Sequence, residues 1–157
     1  MRKTGITPCL WFDNKAEEAA QYYTSIFCDS EILSISRFGK EGFEFHGQPE
    51  GTAMVVSFRI NGQIFTALNG AKGNHFNESV SFQVYCEDQA ELDHHWNKLT
   101  EGGAESMCGW CKDKFGISWQ IIPSILPELM SDPQKAPRVV NAFMQMKKFD
   151  IEKLLTA

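Results

Sequence analysis

A chain of 157 residues, 43% of them hydrophobic, has enough apolar material for one core, or for two small halves that share one. Its formal net charge of -5 and the lack of any strongly basic stretch exclude the electrostatic footprint of a nucleic-acid binder. No uninterrupted apolar run approaches the roughly 20 residues that a bilayer-spanning helix needs, which excludes a membrane partner of that kind.

The first five residues run straight into strand-like sequence with no apolar signal region, so a cytoplasmic location is expected. The odd set of Cys9, Cys28, Cys86, Cys108 and Cys111 reads as reduced thiols in that setting. Residues 6–12 form a candidate strand. Asn14 is placed to cap a helix over residues 15–27, with Ala16, Ala19, Ala20, Tyr23 and Phe27 as its inward stripe. Residues 31–38 are a β-branched strand, and residues 39–51 are so rich in turn formers that they read as a long loop. Two apolar runs, 53–60 and 63–68, flank Asn61-Gly62, a strong hairpin signal because both turn positions favour positive φ.

The same order then returns. Residues 79–86 are strand-like, Asp88 caps a helix over 89–100, and Gly102-Gly103 ends it. Short strands around residues 105–110, a turn at 112–116 and a closing strand at 117–122 complete the second half. Beyond Pro123 the pattern becomes helical. A short helix is expected over 127–131, then a helix start at Ser131-Asp132-Pro133. An apolar stripe of Val139, Val140, Phe143, Met144 and Met146 follows, suited to packing on its own domain or on a second subunit, and Asp150 caps a last helix over 151–155.

The recurrence is the most informative feature. A shift of 74 positions carries Asn14 onto Asp88, Ala16 onto Ala90, Glu17 onto Glu91, Tyr22 onto Trp96 and Glu31 onto Glu105. A shift of 54 carries Gly62 onto Gly116, Phe65 onto Trp119 and Leu68 onto Ile122. The fold class that follows is α+β. Two βαβββ modules, residues 5–70 and 76–123, form cupped, mainly antiparallel sheets with outer helices, and a helical tail over 124–157 completes a single domain.

Strand alternation sorts the candidate site residues. Thr7, Cys9 and Trp11 share one face; so do Ser79, Ser81, Gln83 and Tyr85, and so do Ser118, Gln120 and Ile122. The opposite faces, Ile6, Leu10 and Phe12, Val80, Phe82 and Val84, and Ile117, Trp119 and Ile121, suit packing under helices. Trp11, Phe58, Phe65, Phe82, Trp110 and Trp119 are core candidates, with Trp11 and Trp110 also placed to wall a pocket. His94 and His95 are neighbours on a helix, about 100° apart, and read as a solvated pair. His46 and His75 fall in loops, and only His75, beside a pocket strand, is a functional candidate. Cys108-x-x-Cys111 has neither the partner pair of a zinc site nor a thioredoxin-like setting, so it reads as packing. No Ser-His-Asp order or paired-carboxylate motif is readable.

Several segments carry a family resemblance: Ile6-Thr-Pro-Cys-Leu-Trp-Phe-Asp13, the helix from Ala16 to Phe27, Asn61 to Gly70, Phe76 to Tyr85, Trp96-x-x-Leu99 with Gly102-Gly103, and Cys108-Gly-Trp110 with Asp113 to Pro123. Together they resemble the PhnB-like branch of the glyoxalase/bleomycin-resistance, or vicinal oxygen chelate, superfamily, often labelled 3-demethylubiquinone-9 3-methyltransferase. The resemblance implies a homodimer. It also implies a divalent metal held by His, Glu or Gln on the first and last strands of each module, positions that fall here on Thr7, Ser81, Thr66 and Gln120. These are two Thr, one Ser and one Gln; none carries charge, and neutral hydroxyls are weak ligands for a catalytic transition metal. No cofactor is therefore expected. No Gly-x-Gly-x-Gly follows a strand, as a methyl-donor site in a parallel α/β sheet would require.

The leading expectation is a metal-independent, small-molecule-binding protein whose cleft draws Thr7, Cys9, Trp11, Thr66, Ser81, Gln83, Trp110 and Gln120 from both halves. The alternatives are a metal-dependent enzyme of glyoxalase, dioxygenase or antibiotic-modifying type, and a protein that sequesters an aromatic antibiotic.

Overall fold

The computed structural model describes residues 5–70 and 72–157, so the first four residues of the N-terminal lead lie outside it. Two compact units divide the chain, one ending at Asn74 and the other beginning at His75.

The first unit runs β1 (Cys9–Phe12), α1 (Ala16–Ile26), β2 (Glu31–Arg37), α2 (Phe43–His46), β3 (Ala53–Ile60) and β4 (Gln63–Asn69). Its sheet has the order β1-β4-β3-β2, with β1 parallel to β4 and the other pairs antiparallel. Asn61 and Gly62 both take positive φ, as the hairpin signal requires. One face of the sheet is apolar, with Leu10, Phe12, Val56, Phe58, Phe65 and Ala67 buried. Helix α1 covers it with Ala16, Ala19, Ala20, Tyr23 and Ile26, whose spacing is that of one helical stripe. The three alanines let the helix approach closely, and Tyr23 stacks on Phe58, which stacks on Phe65. The turn-rich segment before β3 contains the single helical turn α2, bounded by left-handed Gly42 and Gly47.

The second unit runs β5 (Ser81–Cys86), α3 (Gln89–Thr100), β6 (Ala104–Glu105), β7 (Trp110–Lys112) and β8 (Ser118–Pro123). Its sheet repeats the first: order β5-β8-β7-β6, β5 parallel to β8, the rest antiparallel. The structure is thus α+β, two βαβββ modules with mixed four-stranded sheets. Leu92, His95, Trp96 and Leu99 of α3 are buried, and the Trp96 indole donates to Glu105. In the β7–β8 turn the Asp113 carboxylate accepts from the amides of Phe115 and Ile117 and from the Trp119 indole.

The tail forms α4 (Leu126–Ser131), α5 (Ala136–Phe143) and α6 (Ile151–Leu155). It folds back on its own unit, burying Leu129, Val139, Phe149 and Leu154. The amides of Cys108 and Gly109 donate to the carbonyls of Met146 and Lys147, tying the tail to the β6–β7 turn. Of the expected stripe, Val139 is buried while Met144 is exposed.

Several expectations need correction. Asn14 is not the cap of α1; it takes a φ of 54°, and the Ala16 amide donates instead to the side chain of Asn69, at the end of β4. Asn69 also donates to the Ala53 carbonyl, so one buried amide serves helix and sheet together. Asp88, by contrast, caps α3 as expected, accepting from the Glu91 amide. Asn14 is an extra residue in the first strand-to-helix turn. Ala19, Tyr23 and Ile26 therefore match Leu92, Trp96 and Leu99, one position off the expected register. The outer strands also start late. Ile6 and Val80 are 97% and 69% exposed rather than packed under helices. Pairing to β4 begins only at the Pro8 carbonyl, and the partner of β5 begins at Ser118. The Ser131-Asp132-Pro133 start opens a turn, with Asp132 accepting from Gln134, before α5 begins at Ala136.

His95 is the clearest reversal. It is 4% exposed, not solvated, with Nδ1 3.7 Å from the Cys86 thiol. Burial, and then the charge of His94, lower its pKa from 6.5. Below pH 6.5 the unfolded chain therefore binds a proton that the folded chain resists, and stability falls as pH drops towards the folded pKa. The slope is at most about 1.4 kcal/mol per pH unit for one proton. Denaturant titrations from pH 7 to 5 should show this slope in the native chain and its loss in His95→Leu. Parallel curves would refute it.

Candidate functional site

Each sheet buries one face under its helix and leaves the other free of helices from its own module. In the second unit the register sets this open face. Gln83 pairs with Gln120, which pairs with Trp110, and Ser81 pairs with Ser118, which pairs with Lys112. Paired residues project to the same side. The side chains form a directional relay. The Tyr85 hydroxyl donates to Gln83, Gln83 donates to Gln120 at 3.4 Å, and Gln120 donates to the Ser81 hydroxyl at 2.8 Å. Amides can propagate such a chain because each both accepts and donates.

Beside the relay lies a cavity of about 430 Å³, within the range of small-molecule sites. Its lining includes the half-buried Trp110, Lys112, Ser118, Ser106 and Glu78. Lys112 pairs with Glu78 at 2.5 Å, and that hydrogen bond holds the Glu78 carboxyl below its usual range. Ser118 is 2% exposed, and its hydroxyl has no hydrogen-bond partner among the described residues. A buried hydroxyl without a partner costs about 1–3 kcal/mol, so this one is available to a bound group. A second, larger cleft between the start of α3 and the tail is lined by charges that already pair, such as Lys148 with Asp93.

In the first unit the open face carries Cys9, Thr66, Ser57 and Ser34 in one paired row, and Trp11, Leu68, Val55 and Ser36 in the next. Thr66 donates weakly to the Pro8 carbonyl at 3.4 Å. Trp11, 41% exposed, lies against Gly70, where a Cβ would overlap its ring. Thr7 is half-buried and precedes β1.

The sequence-based set is thus brought together within each sheet. Ser81, Gln83, Gln120 and Trp110 share one face, Cys9, Trp11 and Thr66 another, and Thr7 stands outside the paired register. Lys112 and Glu78 are absent from that set, and Ser118 is placed on the right face by alternation but not in the cleft. Lys112 ends strand β7 rather than opening the expected turn, and Glu78 precedes β5. The four presumed metal positions do not fit a metal. All are neutral, and the Gln120 amide is engaged at both its oxygen and its nitrogen. Among the described residues no three His, Cys, Asp or Glu side chains converge as a metal site.

The remaining candidates, His46, His75, Cys108 and Cys111, are not part of the relay. His46 packs at a tilt against Phe38 and accepts from the Gln48 amide, and His75 is exposed. Cys111 is buried, its thiol pushed up to about 12, and Cys108 lies 3.8 Å from the Met144 sulfur; neither forms a disulfide.

The family model of 3-demethylubiquinone-9 3-methyltransferase matches residues 4–122. A PhnB protein from Bacillus cereus, described with that same activity, is 38% identical over 77% of this chain and all of its own, with a TM-score of 0.67. A protein from Pseudomonas aeruginosa is 19% identical over 77% of this chain and 98% of its own, with a TM-score of 0.55. Fosfomycin resistance protein FosX from Mesorhizobium loti is 14% identical over 84% of this chain and all of its own, with a TM-score of 0.54. The last two likenesses concern the fold alone. No curated protein matches the chain.

Proposed function

Because the chain belongs to the PhnB-like 3-demethylubiquinone-9 3-methyltransferase family, within the vicinal oxygen chelate superfamily, we propose that it binds a small molecule on its open sheet faces without a metal. The observation that carries this reading is the relay Tyr85–Gln83–Gln120–Ser81, an uncharged hydrogen-bonding floor where the superfamily would place ligands. Thr7, Cys9, Trp11 and Thr66 supply the corresponding surface in the first unit, and Trp110 supplies apolar area beside the relay. The reaction in the family's name is not part of the proposal. A methyl donor usually sits at a glycine-rich strand-to-helix turn of a parallel sheet. The two strand-to-helix turns are Asp13-Asn14-Lys15 and Glu87-Asp88, which hold no glycine.

Protein purified without chelator is expected to carry far less than one Zn, Ni, Mn or Fe per chain. Those ions should leave its melting temperature unchanged, while a screened organic ligand should raise it. One equivalent of metal, lost in Gln120→Ala, would overturn the metal-free reading.

The same proposal includes a cytoplasmic homodimer. The odd cysteine count supports the compartment, and the exposed Met107 and Met144 offer an adaptable apolar surface for a two-fold contact. Light scattering at micromolar concentration should return twice the chain mass. A monomer mass would refute the dimer.

A further inference from the structure

The cavity of the second unit brings a buried hydroxyl, an ammonium and an indole ring to one face. What the cavity takes rests on the reading of that open face as a binding site. We propose that the cavity binds a small planar aromatic anion, a carboxylate or phenolate, with the charged head between Lys112 and Ser118 and the ring against Trp110.

Three features of the cavity support this. The first is the unpartnered Ser118 hydroxyl, 2% exposed, on the cavity lining. A buried hydroxyl in a sheet ordinarily finds an acceptor, and a ligand oxygen would supply one. The second is register. Lys112 pairs directly with Ser118, so the ammonium and the hydroxyl leave the same face of adjacent strands, two donors converging on one small group. Donors of this kind select oxygen anions, and a charge-assisted bond is roughly twice as strong as a neutral one. The third is the wall. Trp110 lies two residues before Lys112 on β7, hence on the same face, and its half-buried ring offers a flat apolar surface.

Glu78 sets the affinity. It holds Lys112 while the site is empty, so an entering anion must compete with a carboxylate already in place. Both partners of that pair are partly exposed, which keeps the pair weak enough to open. A neutral analogue would leave the pair intact and gain the contact with Trp110 and at most a neutral bond from Ser118.

Benzoate and its neutral isostere benzamide separate these cases, with the Trp110 indole resonance, assigned through Trp110→Phe, as the readout of the full chain in NMR titrations. Benzoate should bind about tenfold more tightly than benzamide. Lys112→Met should abolish that difference, Ser118→Ala should weaken benzoate several-fold, and Glu78→Gln should strengthen benzoate several-fold while leaving benzamide unchanged. Circular dichroism checks that each variant is folded. Equal binding of the two probes, or a benzoate preference that survives Lys112→Met, would overturn the anion assignment while leaving the binding face in place. If neither probe moves Trp110, nor any compound in a wider screen, the binding face itself fails.

Discussion

Replacing Asp113 with alanine is expected to cost about 3 kcal/mol of stability, since three donors lose a charged acceptor at once. The carboxylate is buried and accepts from the amides of Phe115 and Ile117 and from the Trp119 indole at 2.8 Å. A truncated methyl cannot accept the Trp119 bond. For a chain of this length the loss corresponds to a fall in melting temperature of roughly 10 °C. Asp113→Asn should fall between, because one oxygen still accepts while the amide nitrogen confronts a second donor. Urea titration followed by tryptophan fluorescence reads both variants. A cost below about 1 kcal/mol for the alanine would show that the turn relaxes around the gap. The cavity depends on this turn, because it delivers Lys112 and Ser118 to their paired positions.

A comparable loss, again about 3 kcal/mol, is expected for Gly109→Ala, for a different reason. Gly109 has a φ of 78°, a conformation that costs an L side chain roughly 1–2 kcal/mol. A methyl there would also meet the Phe149 ring and lie 2.7 Å from the Ile121 carbonyl. Phe149 belongs to the tail, so relief of the overlap should push the tail off its unit. Limited proteolysis should then cut near residue 147 in the variant and not in the native chain. Gly51→Ala is the control, since its φ of 86° is equally unfavourable while nothing lies within 4 Å. If the two variants cost the same, the close approach of the tail contributes nothing.

The architecture was legible because the two modules repeat hydrophobic alternation and helical stripes, and such periodicity reports directly which face is buried. The Asn61-Gly62 hairpin and the Asp88 cap are local signals, and both stand as read. Most of the readings that failed needed information that is not local. Nothing near Asn14 reveals that Asn69 supplies the cap of α1. The late starts of β1 and β5 depend on where their partners begin, not on the apolar character of Ile6 or Val80. His95 was within reach, since it lies three residues after Leu92 and four before Leu99, inside the buried stripe. Polarity alone placed it outside. On the open face of the second unit, Ser118 and Gln120 could be assigned by alternation, whereas Lys112 and Glu78 meet only through the fold.

The two helix starts differ in how far along the chain their acceptors lie. Asp88 caps α3 from three residues away, so that helix can begin as soon as its own sequence exists. The start of α1 waits for Asn69, 53 residues downstream, and for the last strand that carries it. Closing a loop of that length costs entropy before any bond repays it. The half of the chain that leaves the ribosome first is therefore the half whose helix is secured late. A nascent chain that stops before Asn69 holds an α1 with an open amino end, and the second module, made afterwards, has the shorter route to a finished helix.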